Sequence, residues 1–417
     1  MKRFLSFTNL AVTLFIFFFM WGFGKVGVQF EFLNVFEQVF ENFELTDVYY
    51  SKFRKDEDVK FEERIVLVNI GDLPRRGIAQ QIAILNQYNP KVIGIDAFFT
   101  HYKEDTLGDQ FLAEVIKDAE NFVLVSGLHG FDSATNTWAD NTTITKTLDN
   151  TVPLFRDLAT TGFANTVTEE GGNEAFNTWK KVRAKQKLKN GKMIPSFAAQ
   201  ITSFYDAEAT KDFLEKGERE QHIYFQGNVT DNVNGTATKY YLLEYDQVLN
   251  QEFDPTLIEG KIVLMGYMGG EYTSTSWDTD KFYTPLNKNS VGRGYPDMYG
   301  VVIHANIISM ILNRKFIDNM HPYFGILLAF IVCYLNVTLF VSILKKPRLA
   351  PWYGALSKGI QLVEVIILFG LIFFLFAGYL YRADLTLTFL AVLLSGDLSE
   401  IFMDIIGNVF SKEKIKH

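Results

Sequence analysis

The 417-residue sequence holds a single cysteine, Cys333, so no internal disulfide can form and a disulfide-stapled secreted scaffold is excluded. Charge is sparse, with only 21% Asp, Glu, Lys and Arg and a formal net charge of −8. A nucleic-acid binder, which needs a basic face, is therefore not expected. No nucleophile elbow, phosphate loop or His-Glu-x-x-His pair occurs, so neither catalysis nor a cofactor is expected. Apolar material is plentiful instead, at 48% hydrophobic and 15% aromatic residues, which excludes intrinsic disorder. A chain of this length would ordinarily make two or three soluble domains of roughly 100–200 residues each.

The apolar residues are not spread evenly. Residues 4–28 follow Lys2 and Arg3 and run uncharged to Lys25. About 20 apolar residues cross the hydrocarbon core, so this stretch predicts a transmembrane helix. A cleaved signal peptide is the alternative, disfavoured because large aromatics stand where small residues should mark a cleavage site. Three further apolar stretches, 322–344, 360–381 and 385–410, predict three more spans. Lys2, Arg3, Lys345, Lys346, Arg348, Lys358, Lys412, Lys414 and Lys416 then all fall on one side, and basic residues in short connecting segments stay in the cytoplasm. The expectation is a multi-pass protein of the bacterial inner membrane with both termini cytoplasmic, residues 29–321 periplasmic and 411–417 a cytoplasmic tail. Between Gln29 and His321 stand 29 Lys and Arg against 42 Asp and Glu, a balance of −13 that leaves +5 for the rest. An acidic globule on a basic-flanked anchor would favour cations or basic partners, and its lack of cysteine suits an oxidising compartment.

Within residues 29–321 the pattern alternates. Short β-branched apolar runs at 64–70, 91–96, 122–126 and 261–266 read as strands. Apolar residues at helical spacing over 78–88, 111–119 and 299–312 read as helices. Strands buried on both faces and joined by helices predict an α/β domain with a largely parallel sheet, anchored by one N-terminal and three C-terminal transmembrane helices. Residues 130–150 and 168–173 read as surface excursions. The basic stretch 180–192 reads as a solvated hairpin or a partner surface.

Polar residues just after the strands are the candidate ligands. Asp72 follows the first strand, Asp96 ends the second, His129 lies past the third, and Glu271 follows the pair Gly269-Gly270 after the late strand. In open α/β sheets ligands bind beyond the carboxyl ends of the strands. Carboxylates gathered there could bind a divalent cation, hold an amine or act as an acid/base pair. They could equally cap helices and fix turns.

Several segments resemble a known family in order: Ile65-Val-Leu-Val-Asn-Ile-Gly-Asp72, Val92-Ile-Gly-Ile-Asp96, Ile194-Pro-Ser-Phe-Ala-Ala199, 241–249, Ile258-Glu-Gly-Lys-Ile-Val-Leu-Met-Gly266, Trp277-Asp278, Thr284-Pro285 and Tyr299-Gly-Val-Val-Ile-His304. The chain resembles the second type of the CHASE family, extracellular sensory domains associated with cyclases and histidine kinases. The resemblance implies one leading and three trailing membrane helices around a periplasmic sensor of undefined ligand. It adds Asp278 and His304 to the candidate ligand-binding set. The segment Asp72-Leu-Pro-Arg-Arg-Gly77 is shorter than the resemblance would lead one to expect, and Glu169-Glu-Gly-Gly172 replaces an Asp-Gly and Arg-Arg pattern. Members usually continue into an output domain, whereas here a short tail follows the last span, so a signal is expected to leave through another polypeptide.

Asp397, Glu400 and Asp404 are spaced i, i+3 and i+7 in the fourth predicted span and so share one helix face. Carboxylates at membrane depth seldom face lipid, so this face is expected to meet a partner. An interfacial amphipathic helix is the alternative. Two functions follow. Either the chain is a non-catalytic sensor that relays a ligand-dependent state through its helices to a separate inner-membrane or cytoplasmic protein, or it is a scaffold subunit that uses the fold only for protein contacts. A homo-oligomer fits both, and a periplasmic metal-dependent hydrolase ranks well behind.

Overall fold

The computed structural model describes residues 6–27, 45–54, 61–129, 147–149, 151–164, 178–188, 192–217, 219–229, 239–270, 280–287 and 295–414. The chain divides into two compact units, one of residues 50–317 and one of residues 1–49 with 318–417. In chain order the principal helices are α1 (Phe7–Gly27), α2 (Arg75–Asn86), α3 (Thr106–Asp118), α4 (Phe197–Tyr205), α5 (Ala207–Leu214), α6 (Gly300–Leu312), α7 (Pro322–Leu344), α8 (Tyr353–Tyr379) and α9 (Thr386–Lys414).

The unit of residues 50–317 is built on a sheet with seven strands among the described residues. Its strands are β1 (Ile65–Asn69), β2 (Val92–Asp96), β3 (Phe122–His129), β4 (Thr147–Asp149), β5 (Thr160–Phe163), β6 (Tyr241–Leu243) and β7 (Ile262–Gly266). They lie in the order β6-β1-β7-β2-β3, with β5 and β4 both on β3. Every pairing is parallel except that of β4 with the last residues of β3. The late strand β7 is thus inserted between β1 and β2, in register Asn69–Gly266–Asp96 at their carboxyl ends.

Alternation along these strands divides the helices into two layers. Val66, Val68, Ile93, Ile95, Val263 and Met265 belong to one buried cluster with Ile78, Ile82 and Leu85 of α2 and Leu112 and Ile116 of α3. The intervening residues turn to the other face, where Gly94 lies against Phe197 and Ile201 of α4 and Gly266 lies against Val301 of α6. A Cβ on Gly266 would stand 2.6 Å from the Val301 Cβ, so only glycine lets α6 come this close. All residues of α6 are buried, as expected of a helix that is apolar on every side. Asp96 shares the parity of Gly94 and therefore looks toward this second layer.

Local rules account for the elements. Asp105 caps α3 through the Gly108 amide, Ser196 caps α4 through Ala199, and Asp206 caps α5 through Ala209, as short oxygen-bearing side chains do at helix starts. The α2–α3 layer is fastened by Arg75, whose guanidinium binds Asp109 at 2.6 Å and the His101 carbonyl. It also lies over the rings of Phe99 and Phe155 at 5.4 and 5.3 Å. The basic stretch becomes two short strands, Lys181–Arg183 and Lys185–Lys187, and Arg183 is bound to Glu220 of the facing strand at 2.9 Å. That pairing absorbs charge which the sequence leaves open for a partner.

In the second unit, three helices among the described residues are long and apolar enough to cross a membrane: Pro322–Leu344, Ala350–Tyr379 and Thr386–Ile405. The N-terminal stretch differs from expectation. The helix α1 itself runs over Phe7–Gly27, and among the described residues its part Phe7–Gly22 is a short apolar helix. Val12 and Ile16 of α1 pack with Cys333, Val337 and Val341 of α7 and Ala391 and Leu398 of α9. Polar bonds stitch the helices: Asn9 to Thr338 at 3.0 Å, Asn336 to Glu364 at 2.8 Å, Tyr353 to the Gly396 carbonyl at 2.7 Å, and Gln361 to the Val392 and Leu393 carbonyls. Leu327, Ile331, Leu335, Leu362, Ile366, Ile367 and Phe374 are exposed. Such an aliphatic surface on a bundle this apolar suits lipid rather than water. The helix that holds the predicted third span, α8, runs from Tyr353 to Tyr379, with Ser357, Lys358 and Gln361 in its first turns.

Candidate functional site

The site lies at the carboxyl end of β2, beside β7, where α6 begins. Asp96 is the last residue of β2 and Gly266, its register partner, the last of β7. A short antiparallel pair, Lys281–Phe282 with Met298–Tyr299, lies just before α6. The Gly300 amide donates to the Asp280 carbonyl at 3.1 Å, which fixes Asp280 beside the helix start. A Cβ placed on Gly300 would lie 3.3 Å from Asp280 Oδ2, 3.4 Å from Asp96 Oδ2 and 3.4 Å from a ring carbon of Phe282. Both carboxyl groups therefore face the same glycine.

One helical turn on, His304 presents Nε2 to Asp96 Oδ2 at 3.8 Å. Its ring is wedged edge-on between Trp179 at 5.6 Å and Phe197 at 5.1 Å, and it is 4% exposed. Its Nδ1 is buried with no hydrogen-bond partner among the described residues. Burial pushes Asp96 up to about 7. Burial, then the nearby Asp96 charge, pushes Asp280 up to about 7, and burial pulls His304 down to about 4. Among the described residues no Lys or Arg forms an ion pair with either carboxylate, and the Lys281 ammonium lies over the Tyr299 ring at 4.9 Å. Two carboxyl groups removed from water without a counter-charge must take up protons or a cation.

The site adjoins a hydrogen-bonded floor. Asn69, fully buried at the end of β1, donates to Glu244 at 2.7 Å and to the Gly269 carbonyl at 3.0 Å. Its oxygen accepts from the Gly71 and Met268 amides. Just before Met298, Asp297 accepts from the Thr284 amide and hydroxyl and from Asn287, and burial still pushes its carboxyl up to about 6.

A model of the CHASE2 domain matches residues 56–339. The chain belongs to the CHASE2 family. CHASE2 domains are extracellular sensory modules, and the match extends beyond the unit of residues 50–317 into α7. No curated protein and no solved structure matches the chain.

The CHASE2 fold brings together two of the residues singled out from sequence, Asp96 and His304. Asp72 is exposed in the turn after β1. The His129 side chain, Glu271 and Asp278 lie outside the described residues. Asp280 and Asn69 were not singled out. Asp280 stands two residues beyond Asp278, and only the pairing of its neighbours with 298–299 reveals its position. Asn69 carries a legible sign, an amide ending an otherwise apolar strand. Among the described residues no three His, Cys, Asp or Glu side chains are arranged to hold a metal ion.

In the helical unit, Asp397, Glu400 and Asp404 are exposed within the chain. Asp397 is held by Lys358 of α8 at 2.7 Å. Glu364 is not part of that face; it accepts from Asn336.

Proposed function

We propose that this CHASE2 protein is a non-catalytic sensor that binds a small ligand where Asp96, Asp280 and His304 meet, and passes its state through the membrane helices to a separate protein. The observation that carries this reading is the carboxyl pair, without an ion-pair partner among the described residues, beside an imidazole whose Nδ1 has no hydrogen-bond partner among them, at the sheet end where open α/β folds take ligands. Residues 313–321 alone join α6, which carries His304, to α7. Ligand-dependent strain at α6 thus has a short covalent path into the spans. Sensing requires only that the ligand prefer one of two states. The charge balance supports a periplasmic soluble unit with cytoplasmic ends, α1 serving as the fourth membrane helix, in a bacterial inner membrane.

The experiment is a thermal-shift screen of the detergent-solubilised full-length chain against small cations, amines and metabolites, run beside Asp96→Asn. A saturable shift that the variant loses supports sensing. Equal responses of wild type and variant to every compound, with a protein partner that co-purifies from both, would instead favour the scaffold.

A further inference from the structure

The site's chemistry allows its ligand to be named by class. Asp96 Oδ2 and Asp280 Oδ2 converge on one glycine, and His304 Nε2 stands 3.8 Å from the first of them, beyond hydrogen-bond distance. Two carboxylate acceptors thus stand at Gly300, and His304 Nε2, once the ring carries its proton on Nδ1, is a third acceptor beside Asp96. Aromatic rings stand on their flank, with Phe282 against Gly300 and Trp179 against both Phe282 and His304. The two carboxylates demand positive charge, and the rings favour a cation of low hydration over a strongly hydrated one. Among the described residues no group of three His, Cys, Asp or Glu side chains could hold a metal ion, so these three are not close enough together for the short bonds a divalent metal makes.

We infer that the cluster of Asp96, Asp280 and His304 binds a small primary ammonium ion. The inference rests on the sensory reading and sharpens it. Three N–H groups match the three acceptors, and the charge is compensated by charge-assisted bonds to Asp96 and Asp280. The carbon attached to nitrogen is left toward Phe282 and Trp179. Gly300 is the entry residue: an alanine there would set a methyl 3.3 and 3.4 Å from the two carboxylate oxygens, in the space the ligand needs, without removing either charge.

The test is thermal shift and calorimetric titration of the full-length chain in detergent with methylammonium, ethanolammonium and butane-1,4-diammonium. Tetramethylammonium, K⁺, Mg²⁺ and Ca²⁺ serve as controls at matched ionic strength. Primary ammonium ions are expected to bind saturably and tetramethylammonium not at all. Asp96→Asn and Asp280→Asn should each weaken binding by about tenfold or more, the loss of one charge-assisted bond, and Gly300→Ala should abolish it in a protein that unfolds near the wild-type temperature. No binding of any primary ammonium, or equal binding by wild type and Gly300→Ala, overturns the ammonium assignment. A response to Mg²⁺ or Ca²⁺ alone that Asp96→Asn removes overturns it too, while leaving the sensory reading standing. Should Asp96→Asn answer every compound of the wider screen as wild type does, the sensory reading falls as well.

Discussion

His304 Nε2 stands 3.8 Å from Asp96 Oδ2, and burial moves the two groups in opposite directions, the carboxyl up to about 7 and the imidazole down to about 4. Between those values both are neutral, a protonated carboxyl beside an unprotonated ring. As pH rises through 7 the pair gains negative charge and no positive charge.

Stability should follow that titration. The folded chain keeps protons on Asp96 and Asp280 that the unfolded chain, with carboxyls near 3.8, has already released, so these groups lower stability as pH rises from about 4 through 7. His304 acts oppositely between about 4 and 6.5, because there only the unfolded ring binds a proton. Asp297, pushed up to about 6, adds to the carboxyl trend. From about pH 6.5 to about pH 7.5 the Asp96–Asp280 pair is left to dominate, before Lys239, pulled down to about 8 by burial, acts the other way. The unfolding temperature of the ligand-free full-length chain should fall over that interval, and Asp96→Asn with Asp280→Asn should flatten the slope. A wild-type slope that is flat or rising would contradict the burial of these groups.

Asn69 makes a sharper structural prediction than its size suggests. Replacement by Asp keeps an acceptor for the Gly71 and Met268 amides but turns the Nδ2 that serves Glu244 at 2.7 Å into an oxygen facing a carboxylate. Asn69→Asp should destabilise by about 3 kcal/mol or more at neutral pH, combining a buried unmade bond with like-charge repulsion. The loss should shrink in acid as one carboxyl is protonated. Chemical denaturation at two pH values measures it, and an equal loss at both would show that the repulsion is absent.

Arg75 and Asp109, both buried, form a pair whose halves cannot be removed separately. Asp109→Ala leaves a guanidinium between Phe99 and Phe155 with only the His101 carbonyl, and should cost about 3–5 kcal/mol. Replacing both partners, Arg75→Met with Asp109→Leu, should recover much of that. If the double variant is as unstable as the single one, the pair is not what couples α2 to α3.

The strands β1, β2, β3 and β7 were legible because each is a short run of β-branched residues buried on both faces. The helices after β1 and β2 followed from apolar spacing. The edge strands β5 and β6 were not: Thr160-Thr-Gly-Phe163 carries no apolar run, and Tyr241–Leu243 pairs with β1 across a long stretch of chain. Asp96 was legible as a strand-end carboxylate. Its partner Asp280 was not, since its place depends on the 281–282 and 298–299 pairing, a long-range contact that no local pattern encodes. In the helical unit, hydropathy located the three C-terminal helices, and the first turns of α8, ahead of its long apolar run, carry polar groups satisfied by α9.

That satisfaction separates the two kinds of polar residue in the spans, and the contrast yields a test of the partner. Asn336, Glu364, Ser395 and Gln361 are bonded within the chain, whereas Glu400 and Asp404 are exposed on α9 next to the Asp397–Lys358 pair. Lipid offers such carboxylates no compensation, so under the proposed relay this face would be covered by a partner helix with basic or hydrogen-bonding groups. Asp397→Asn with Glu400→Gln should weaken co-purification of a membrane partner after mild detergent extraction and leave the fold unchanged. Asn336→Leu, which strands Glu364 inside the bundle, should instead lower the unfolding temperature. Undiminished complexes from the Asp397–Glu400 variant would show that the acidic face meets water at the membrane surface and not another protein.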